Sequence, residues 1–160
     1  MKVGRAVIAH SEEETAAEAA RFAAALPPGA VVLLFGELGA GKTAFVRGMA
    51  AGLGIDAEEV SSPTFTIIQE YRAAAPGAGT PGQGPAAVLY HVDLYRLEGG
   101  EVEDLGLEEL AGSGGIVAIE WAERLPRPPA DAVRVEIVDP GDDSRRIEIS
   151  GVPFSRYSER

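Results

Sequence analysis

The chain has 160 residues, of which 46% are hydrophobic, and a formal net charge of −11 at pH 7. This length suits one domain with a substantial core, and the absence of cysteine excludes disulfides, thiolate nucleophiles and cysteine-based metal centres. The acidic balance disfavours a protein that grips nucleic acid on a basic face. No apolar run approaches the ~20 residues of a membrane helix, and the N-terminus turns acidic before a signal-peptide core forms. We therefore expect a soluble, cytoplasmic protein without a membrane segment.

Hydrophobic spacing and turn residues predict alternating strands and helices along the chain. In chain order these are a strand at 5–10, a helix at 12–26, a strand at 31–35, a helix at 43–53, strands at 64–71 and 88–93, a helix at 101–110, and strands at 116–120, 132–138 and 145–150. Ser11 begins a capping-box sequence, Ser-Glu-Glu-Glu, and Gly54 is placed to end the second helix. The run at 31–35 is apolar throughout, which is typical of a parallel strand covered on both faces.

The segment at 73–87 is rich in alanine, glycine and proline and has almost no side chain that can pack. We expect it to form a flexible insert loop within a single domain over residues 1–152. The last two strands are predicted to pair through a turn at 140–143. The polar tail at 153–160 is expected to fray.

Residues 36–43, Gly-Glu-Leu-Gly-Ala-Gly-Lys-Thr, match the phosphate-binding pattern G-x-x-x-x-G-K-[ST] between a buried strand and an amphipathic helix. The glycines let successive N–H groups point at an anion, and the helix directs its positive end to the same place. Lys42 supplies a charge for the β- and γ-phosphates, and the Thr43 hydroxyl is a hard oxygen ligand for Mg²⁺. We therefore expect a P-loop NTPase fold, a three-layer α/β sandwich with a mainly parallel sheet and a C-terminal antiparallel strand pair.

A P-loop needs a carboxylate at the end of a neighbouring strand to hold Mg²⁺, either directly or through water. Two residues qualify, because Asp93 ends the strand at 88–93 and Glu120 ends the strand at 116–120. Residue type and position alone do not rank them.

Four further residues near these segments have an ordinary structural interpretation. Thr64 and Thr66 are placed either to sense the γ-phosphate or only to lead from a Ser/Pro turn into a strand. Trp121 is the only tryptophan, and a lone aromatic residue is most often part of the core. His91 is expected only to pack, and we assign it no chemistry.

Four segments, in this order and spacing, resemble the TsaE family, also called YjeE: the P-loop at 36–43, Ser-Pro-Thr-Phe-Thr at 62–66, His-Val-Asp-Leu-Tyr-Arg-Leu at 91–97 and Ile-Glu-Trp-Ala-Glu at 119–123. The P-loop is generic to NTPases, whereas the last two segments are specific. The resemblance implies a bacterial P-loop ATPase that uses ATP and Mg²⁺ and works with the TsaB and TsaD proteins. Its implied role is the formation of threonylcarbamoyladenosine next to the anticodon of tRNAs reading ANN codons, with tRNA reached through the complex.

The resemblance also assigns site residues. It implies that the nucleotide contacts the phosphate-binding loop, formed by Glu37, Leu38, Gly39, Ala40, Gly41 and Lys42, and the residue after it, Thr43. Thr43 and Glu120 become the Mg²⁺ ligands. Asp93 becomes a nucleotide- or metal-facing carboxylate needed for hydrolysis, so that Asp93, Lys42 and Glu120 form the catalytic set.

Three more positions follow from the same resemblance. Thr15 matches a threonine that lies beside the nucleotide. An arginine of the last strand pair also contacts the nucleotide, and the match is ambiguous between Arg145 and Arg146, of which Arg146 is preferred. Trp121 matches a tryptophan near the site, which opposes its interpretation as a core residue. The insert at 73–87 is longer than the family pattern leads us to expect.

Three other functions share the phosphate-binding loop. A GTPase needs an [NT]-K-x-D segment, which is excluded because the only lysines are Lys2 and Lys42, and neither precedes an aspartate by two residues. A small-molecule kinase usually adds an arginine-rich lid, and no compact basic lid is evident. A regulatory module that binds nucleotide without turnover remains an alternative that only a hydrolysis measurement separates from an ATPase.

Overall fold

The computed structural model describes residues 2–37, 41–60, 67–73, 87–97, 99–103 and 105–153. Its elements are β1 (Lys2–Ala9), α1 (Glu12–Ala24), β2 (Val31–Phe35), α2 (Lys42–Gly52), β3 (Ile68–Arg72), β4 (Val88–Asp93), α3 (Gly99–Glu103), α4 (Leu107–Gly112), β5 (Ile116–Glu120), β6 (Val133–Val138) and β7 (Arg145–Pro153). None of the helices in these ranges is both long enough and apolar enough to cross a membrane.

The seven strands form one sheet in the order β1-β7-β6-β2-β5-β4-β3. The four central strands, from β6 to β4, are parallel, and the strands at both edges join antiparallel. Helices α1 and α2 cover one face of the sheet, while α3 and α4 cover the other. The predicted three-layer α/β fold with an antiparallel C-terminal pair is therefore confirmed.

Apart from Glu120 at the end of β5, the neighbouring strands β2 and β5 are apolar on both faces because both faces are covered. In β2, Val32 and Leu34 pack toward α1 and α2, whereas Leu33 packs toward α3 and α4. Every residue of β5 is buried. A parallel strand between two helical layers has no solvent side, so it does not alternate polar and apolar residues.

The α1–α2 pair is packed unusually closely. The Ser11 hydroxyl accepts a hydrogen bond from the Glu14 N–H at 3.1 Å and so caps α1 as predicted. On α2, a Cβ added at Gly48 would lie 2.5 Å from the carbonyl oxygen of Ala16. At the same interface, a Cβ added at Gly52 would lie 2.3 Å from the backbone of α1. The two helix backbones are therefore in contact through glycine.

The structure differs from the sequence prediction at three elements. The single helix predicted at 101–110 is two helices, because Gly106 has a φ of 71° that no α-helix can continue through. The strand predicted at 64–71 is described from Ile68 to Arg72, and its first residues lie outside the described ranges. The last strand continues beyond residue 150 to Pro153, so the domain edge predicted at 152 falls within it.

Residues 74–86 of the predicted insert loop also lie outside the described ranges, as do residues 154–160 of the predicted tail. The two ends of the insert are joined, because the Ala73 N–H donates a hydrogen bond to the Ala87 carbonyl at 2.9 Å. That bond extends the antiparallel ladder of β3 and β4. The insert therefore leaves and returns at the end of a hairpin.

Candidate functional site

The carboxyl ends of three parallel strands bring the predicted site residues together. Strand β2 leads into the P-loop, β4 ends at Asp93 and β5 ends at Glu120. In the sheet register Glu120 pairs with Asp93 on one side and with Leu34 on the other. Since neighbouring strands lie ~4.8 Å apart, Glu120 is one strand and Asp93 two strands away from the end of β2, where the P-loop starts. In open α/β sheets, ligands bind at the carboxyl ends of the strands, as at this end of the sheet.

The described part of the P-loop has the geometry of an anion site. Gly41 caps α2 with a φ of 109°, a conformation that favours glycine, and offers no side chain to cap the helix. The first turn of α2 contains no acidic residue. Its N–H groups are therefore available to a phosphate. Glu37 is exposed, whereas Leu38, Gly39 and Ala40 lie outside the described residues.

Lys42 is held in place by two neighbours. Its Nζ donates a hydrogen bond to the Gly36 carbonyl at 2.5 Å and lies 4.1 Å from the centroid of the Trp121 ring. The lysine is only 5% exposed. A buried ammonium without such partners would be costly, and a cation over an indole face is favourable.

Trp121 lies at the edge of the site and is not an ordinary core residue. Its backbone is left-handed, with φ 59° and ψ 41°, which is rare for a bulky side chain. The indole is half-buried and contacts the Tyr95 ring at 4.9 Å between centroids. Trp121 therefore packs against the core from a partly buried position and also contacts Lys42.

Asp93 is half-buried, and its carboxylate accepts a hydrogen bond from the Tyr95 N–H at 2.9 Å. Burial is the main cause that raises the pKa of Asp93 above its usual value, and the charge of Glu120 adds to the rise. The Tyr95 hydrogen bond and the charges of His91 and Lys42 oppose it. The charges of Lys42 and Glu120 thus both affect the pKa of Asp93.

Sequence reasoning missed the partner of Glu120. His91 is 0% exposed, Glu120 is 4% exposed, and His91 Nε2 lies 2.5 Å from Glu120 Oε2. The expectation that His91 only packs is therefore wrong. One signal was available, because His91 precedes Asp93 by two residues and so lies on the same face of β4.

The two arginines of β7 lie on opposite faces of the sheet. Arg145 Nε is 3.9 Å from the position that a Cβ would take at Gly41. Arg146 is half-exposed and forms an ion pair with Glu148 at 3.4 Å. This placement favours Arg145 over Arg146, the residue preferred from the sequence, as the arginine near the P-loop.

The remaining predicted residues are four threonines. Thr43 is the second residue of α2 and is half-buried. Thr15 is buried within α1. Thr64 and Thr66 lie outside the described ranges.

The donor set at this edge fits Mg²⁺ that arrives with a nucleotide. Among the described residues, no group of three or more histidines, aspartates and glutamates is arranged to hold a metal by itself. Mg²⁺ usually takes only one or two carboxylates and completes its coordination with phosphates and water. Thr43, Asp93 and Glu120 supply hard oxygen atoms of this kind.

A separate cavity of about 610 Å³ lies on the other side of the sheet. It is bordered by α3, α4 and β5, with Val117 and Ile119 in its wall. None of the described P-loop residues, 36–37 and 41–43, lines it. The candidate site at the carboxyl ends of β2, β4 and β5 is therefore distinct from this cavity.

Comparisons with known proteins show the family to which the chain belongs. The family profile for "Threonylcarbamoyl adenosine biosynthesis protein TsaE" matches residues 9–147. The tRNA threonylcarbamoyladenosine biosynthesis protein TsaE of Bacillus subtilis (strain 168) is 45% identical over 141 residues, which cover 88% of this chain and 81% of the relative. The protein of the same name from Rickettsia bellii is 40% identical over 148 residues, covering 89% of this chain and 92% of the relative.

A solved structure shows the same similarity in three dimensions. The crystal structure of Bacillus subtilis YdiB superimposes with a TM-score of 0.70 and 35% sequence identity, over 99% of this chain and 92% of that one. The profile match at residues 9–147 includes the P-loop and the ends of β4 and β5, and the relatives match over most of the chain. The chain therefore belongs to the TsaE family of tRNA threonylcarbamoyladenosine biosynthesis proteins.

Proposed function

We propose that this protein hydrolyses ATP in the presence of Mg²⁺ and does so as a partner of TsaB and TsaD in the formation of threonylcarbamoyladenosine in tRNAs reading ANN codons. The observation that carries the proposal is the convergence of Lys42 with Asp93 and Glu120 at one edge of the sheet. A lysine, two carboxylates and free helix N–H groups suit the charge pattern of a bound nucleotide triphosphate.

Each group has a distinct task in this proposal. The N–H groups of α2 and the Lys42 ammonium bind and orient the phosphates, and Lys42 Nζ exchanges the Gly36 carbonyl for a phosphate oxygen. Thr43 and Glu120 hold Mg²⁺, which neutralises phosphate charge when bound. Asp93 lies beside Glu120 and acts on the attacking water or in the metal shell.

The position of Arg145 suggests a further contact with the nucleotide. A guanidinium beside Gly41 can neutralise charge on the phosphates as the bond to the γ-phosphate breaks. The structure holds this side chain by a 2.8 Å hydrogen bond to the Ser144 carbonyl and by an ion pair with Asp139 at 3.5 Å. We propose Arg145 for the role that the sequence assigned to Arg146.

The proposal includes slow turnover by the isolated chain and faster turnover with TsaB and TsaD. A formal charge of −11 makes a tRNA-binding face of its own unfavourable. An acidic surface suits a basic patch on a partner protein, so the association should weaken as salt increases. Turnover alone should stay well under the ~10 s⁻¹ of a typical enzyme.

The test compares Lys42→Ala with Lys2→Ala. The second variant is the control, because it removes the only other lysine, which lies in the edge strand β1. Calorimetric titration with ATP and Mg²⁺ should show affinity weakened by about 10- to 150-fold for Lys42→Ala, because a charge-assisted contact contributes ~1.5–3 kcal/mol. Lys2→Ala should bind as the wild type does. Equal affinities for both variants would refute the P-loop assignment.

Hydrolysis by the wild-type chain is then measured alone and with TsaB and TsaD. Stimulation by the pair supports the proposed partnership. Transfer of phosphate to a small molecule would support a kinase instead, and tight binding without turnover in either condition would support a regulatory module. GTP competing as well as ATP would contradict the choice of nucleotide.

A further inference from the structure

The imidazole of His91 lies where it can fix the carboxylate of Glu120. His91 is in the middle of β4, between β3 and β5, and pairs in register with Gln69 and Ala118. Ala118 has a small side chain and precedes Glu120 by two residues on the same face of β5. The ring therefore has room beside Ala118, and its Nε2 reaches Glu120 Oε2 on the adjacent strand.

The contact has one chemically sensible direction. In the proposed function Glu120 is an ionised ligand of Mg²⁺, and an ionised carboxylate only accepts hydrogen bonds. His91 Nε2 therefore keeps its proton and donates a hydrogen bond to Glu120 Oε2. A buried carboxylate without such a donor would be strongly destabilised. Oε1 receives no hydrogen bond from the part of the chain that the structure describes, so it is the oxygen left for another ligand.

From this geometry we infer that His91 is a positioning residue, which holds Glu120 Oε2 so that Oε1 faces the nucleotide site in a fixed orientation. This inference deepens the proposed function and rests on it for the role of Glu120 at Mg²⁺. A glutamate has three rotatable side-chain bonds, and a single donor on a rigid neighbouring strand restricts them. Outer-shell partners of this kind typically change metal affinity by ~10–100-fold when they are removed.

The His91 ring is restricted in its orientation, which suits it to this role. The ring is fully buried, and its Nδ1 has no hydrogen-bond partner among the described residues. The bond to Glu120 is therefore the one polar contact that orients the ring within that part of the chain. A histidine kept for packing alone would not need to be placed against the only carboxylate that ends β5.

Two substitutions separate positioning from packing. His91→Leu keeps an apolar group of similar size and removes the donor, whereas His91→Gln keeps an N–H donor on a side chain of similar reach. Nucleotide affinity is measured by calorimetry with and without Mg²⁺ for each variant. We expect His91→Leu to lose about 10- to 100-fold of the Mg²⁺-dependent tightening and to keep its Mg²⁺-free affinity. His91→Gln should recover most of the lost tightening.

A second readout needs neither nucleotide nor activity. Long-range ¹H–¹⁵N NMR of the wild-type protein without ligand should show a proton on Nε2 of His91, and Glu120→Gln should shift that signal. An Nε2 without a proton overturns the inference, even if His91→Leu does not fold. A folded His91→Leu variant with the wild-type response to Mg²⁺ also overturns it.

The failure of the inference is distinguishable from the failure of the proposed function. A wild-type protein that binds no Mg²⁺-nucleotide refutes the proposed function, and the NMR signal still decides whether His91 holds Glu120. A wild-type protein that binds Mg²⁺-nucleotide equally with leucine or histidine at position 91 refutes the positioning role alone.

Discussion

Replacing Gly48 with alanine tests whether the close contact between α1 and α2 holds the P-loop in place. The added Cβ would lie 2.5 Å from the Ala16 carbonyl oxygen and 2.7 Å from the Ala19 Cβ. Neither atom can rotate away, because one belongs to the backbone and the other is itself a Cβ. To reach an ordinary contact of 3.4 Å, the helices must separate by about 0.9 Å at this point. Since α2 begins at Lys42, the phosphate-binding residues must shift with it.

The expected loss follows from two opposing contributions. Overpacking of a tight interface costs ~1–3 kcal/mol, and the better helix propensity of alanine returns ~1 kcal/mol. The net loss is therefore up to ~2 kcal/mol, which should lower the Tm by up to ~8 °C for a domain of this size. Nucleotide affinity should fall as well.

The assay is thermal unfolding of Gly48→Ala beside Gly112→Ala. At Gly112, the last residue of α4, an added Cβ meets no atom within 4 Å. This control should be unchanged or gain up to ~1 kcal/mol, since alanine restricts the unfolded chain. A Gly48→Ala protein as stable as the control would refute the argument that the helix backbones are in contact.

Three further predictions concern the site and the insert. Burial raises the pKa of Asp93, so the folded protein binds this proton more tightly than the unfolded chain does. The contribution of Asp93 to the free energy of unfolding therefore falls as the pH rises from about 3.8 through the raised pKa. Asp93→Asn should remove that fall, so its stability relative to wild type should grow with pH in thermal unfolding; a pH-independent difference would contradict this. Trp121 emission should change when ATP draws Lys42 Nζ from its present 4.1 Å, and the change should be absent in Lys42→Ala; an equal change in both proteins would contradict the link. Replacing residues 74–86 with Asn-Gly should leave thermal stability and ATP affinity nearly unchanged, because the Ala73–Ala87 hydrogen bond already closes the hairpin. A large loss in unfolding or titration measurements would show that the insert packs against another part of the protein.

The fold was predictable where the pattern is local. The continuous apolar run of β2 and the capping sequence at Ser11 each depend on residues close together in the chain, and both predictions are confirmed. The helix break at Gly106 was missed although a glycine was visible, because helical spacing continues on either side of it. Sequence spacing reports which residues share a face, but not where the chain turns left-handed.

The two strand-end carboxylates of the predicted site lie together in the fold, but their contacts were not predicted. Asp93 and Glu120 were recognised as strand ends, but only the sheet register shows that they are direct neighbours. The same register brings His91 beside Glu120, across 29 positions of the chain. Such pairings depend on strand order, which periodicity does not contain, so the partner of a buried carboxylate could not be read from its own segment.

The electrostatics of the site favour a cation-binding function over a purely structural one. Two carboxylates at the ends of adjacent strands repel each other, and the charge of Glu120 contributes to the raised pKa of Asp93. If the two carboxylates served only stability, replacing one of them with a neutral side chain would stabilise the folded protein, since like charges in a partly buried place repel each other. The charges of Lys42 and His91 oppose the rise in the pKa of Asp93, yet Lys42 is the residue that a phosphate would draw away. Once Lys42 turns to the phosphates, the two carboxylates need another positive charge, and Mg²⁺ arriving with the nucleotide supplies it in the proposed function.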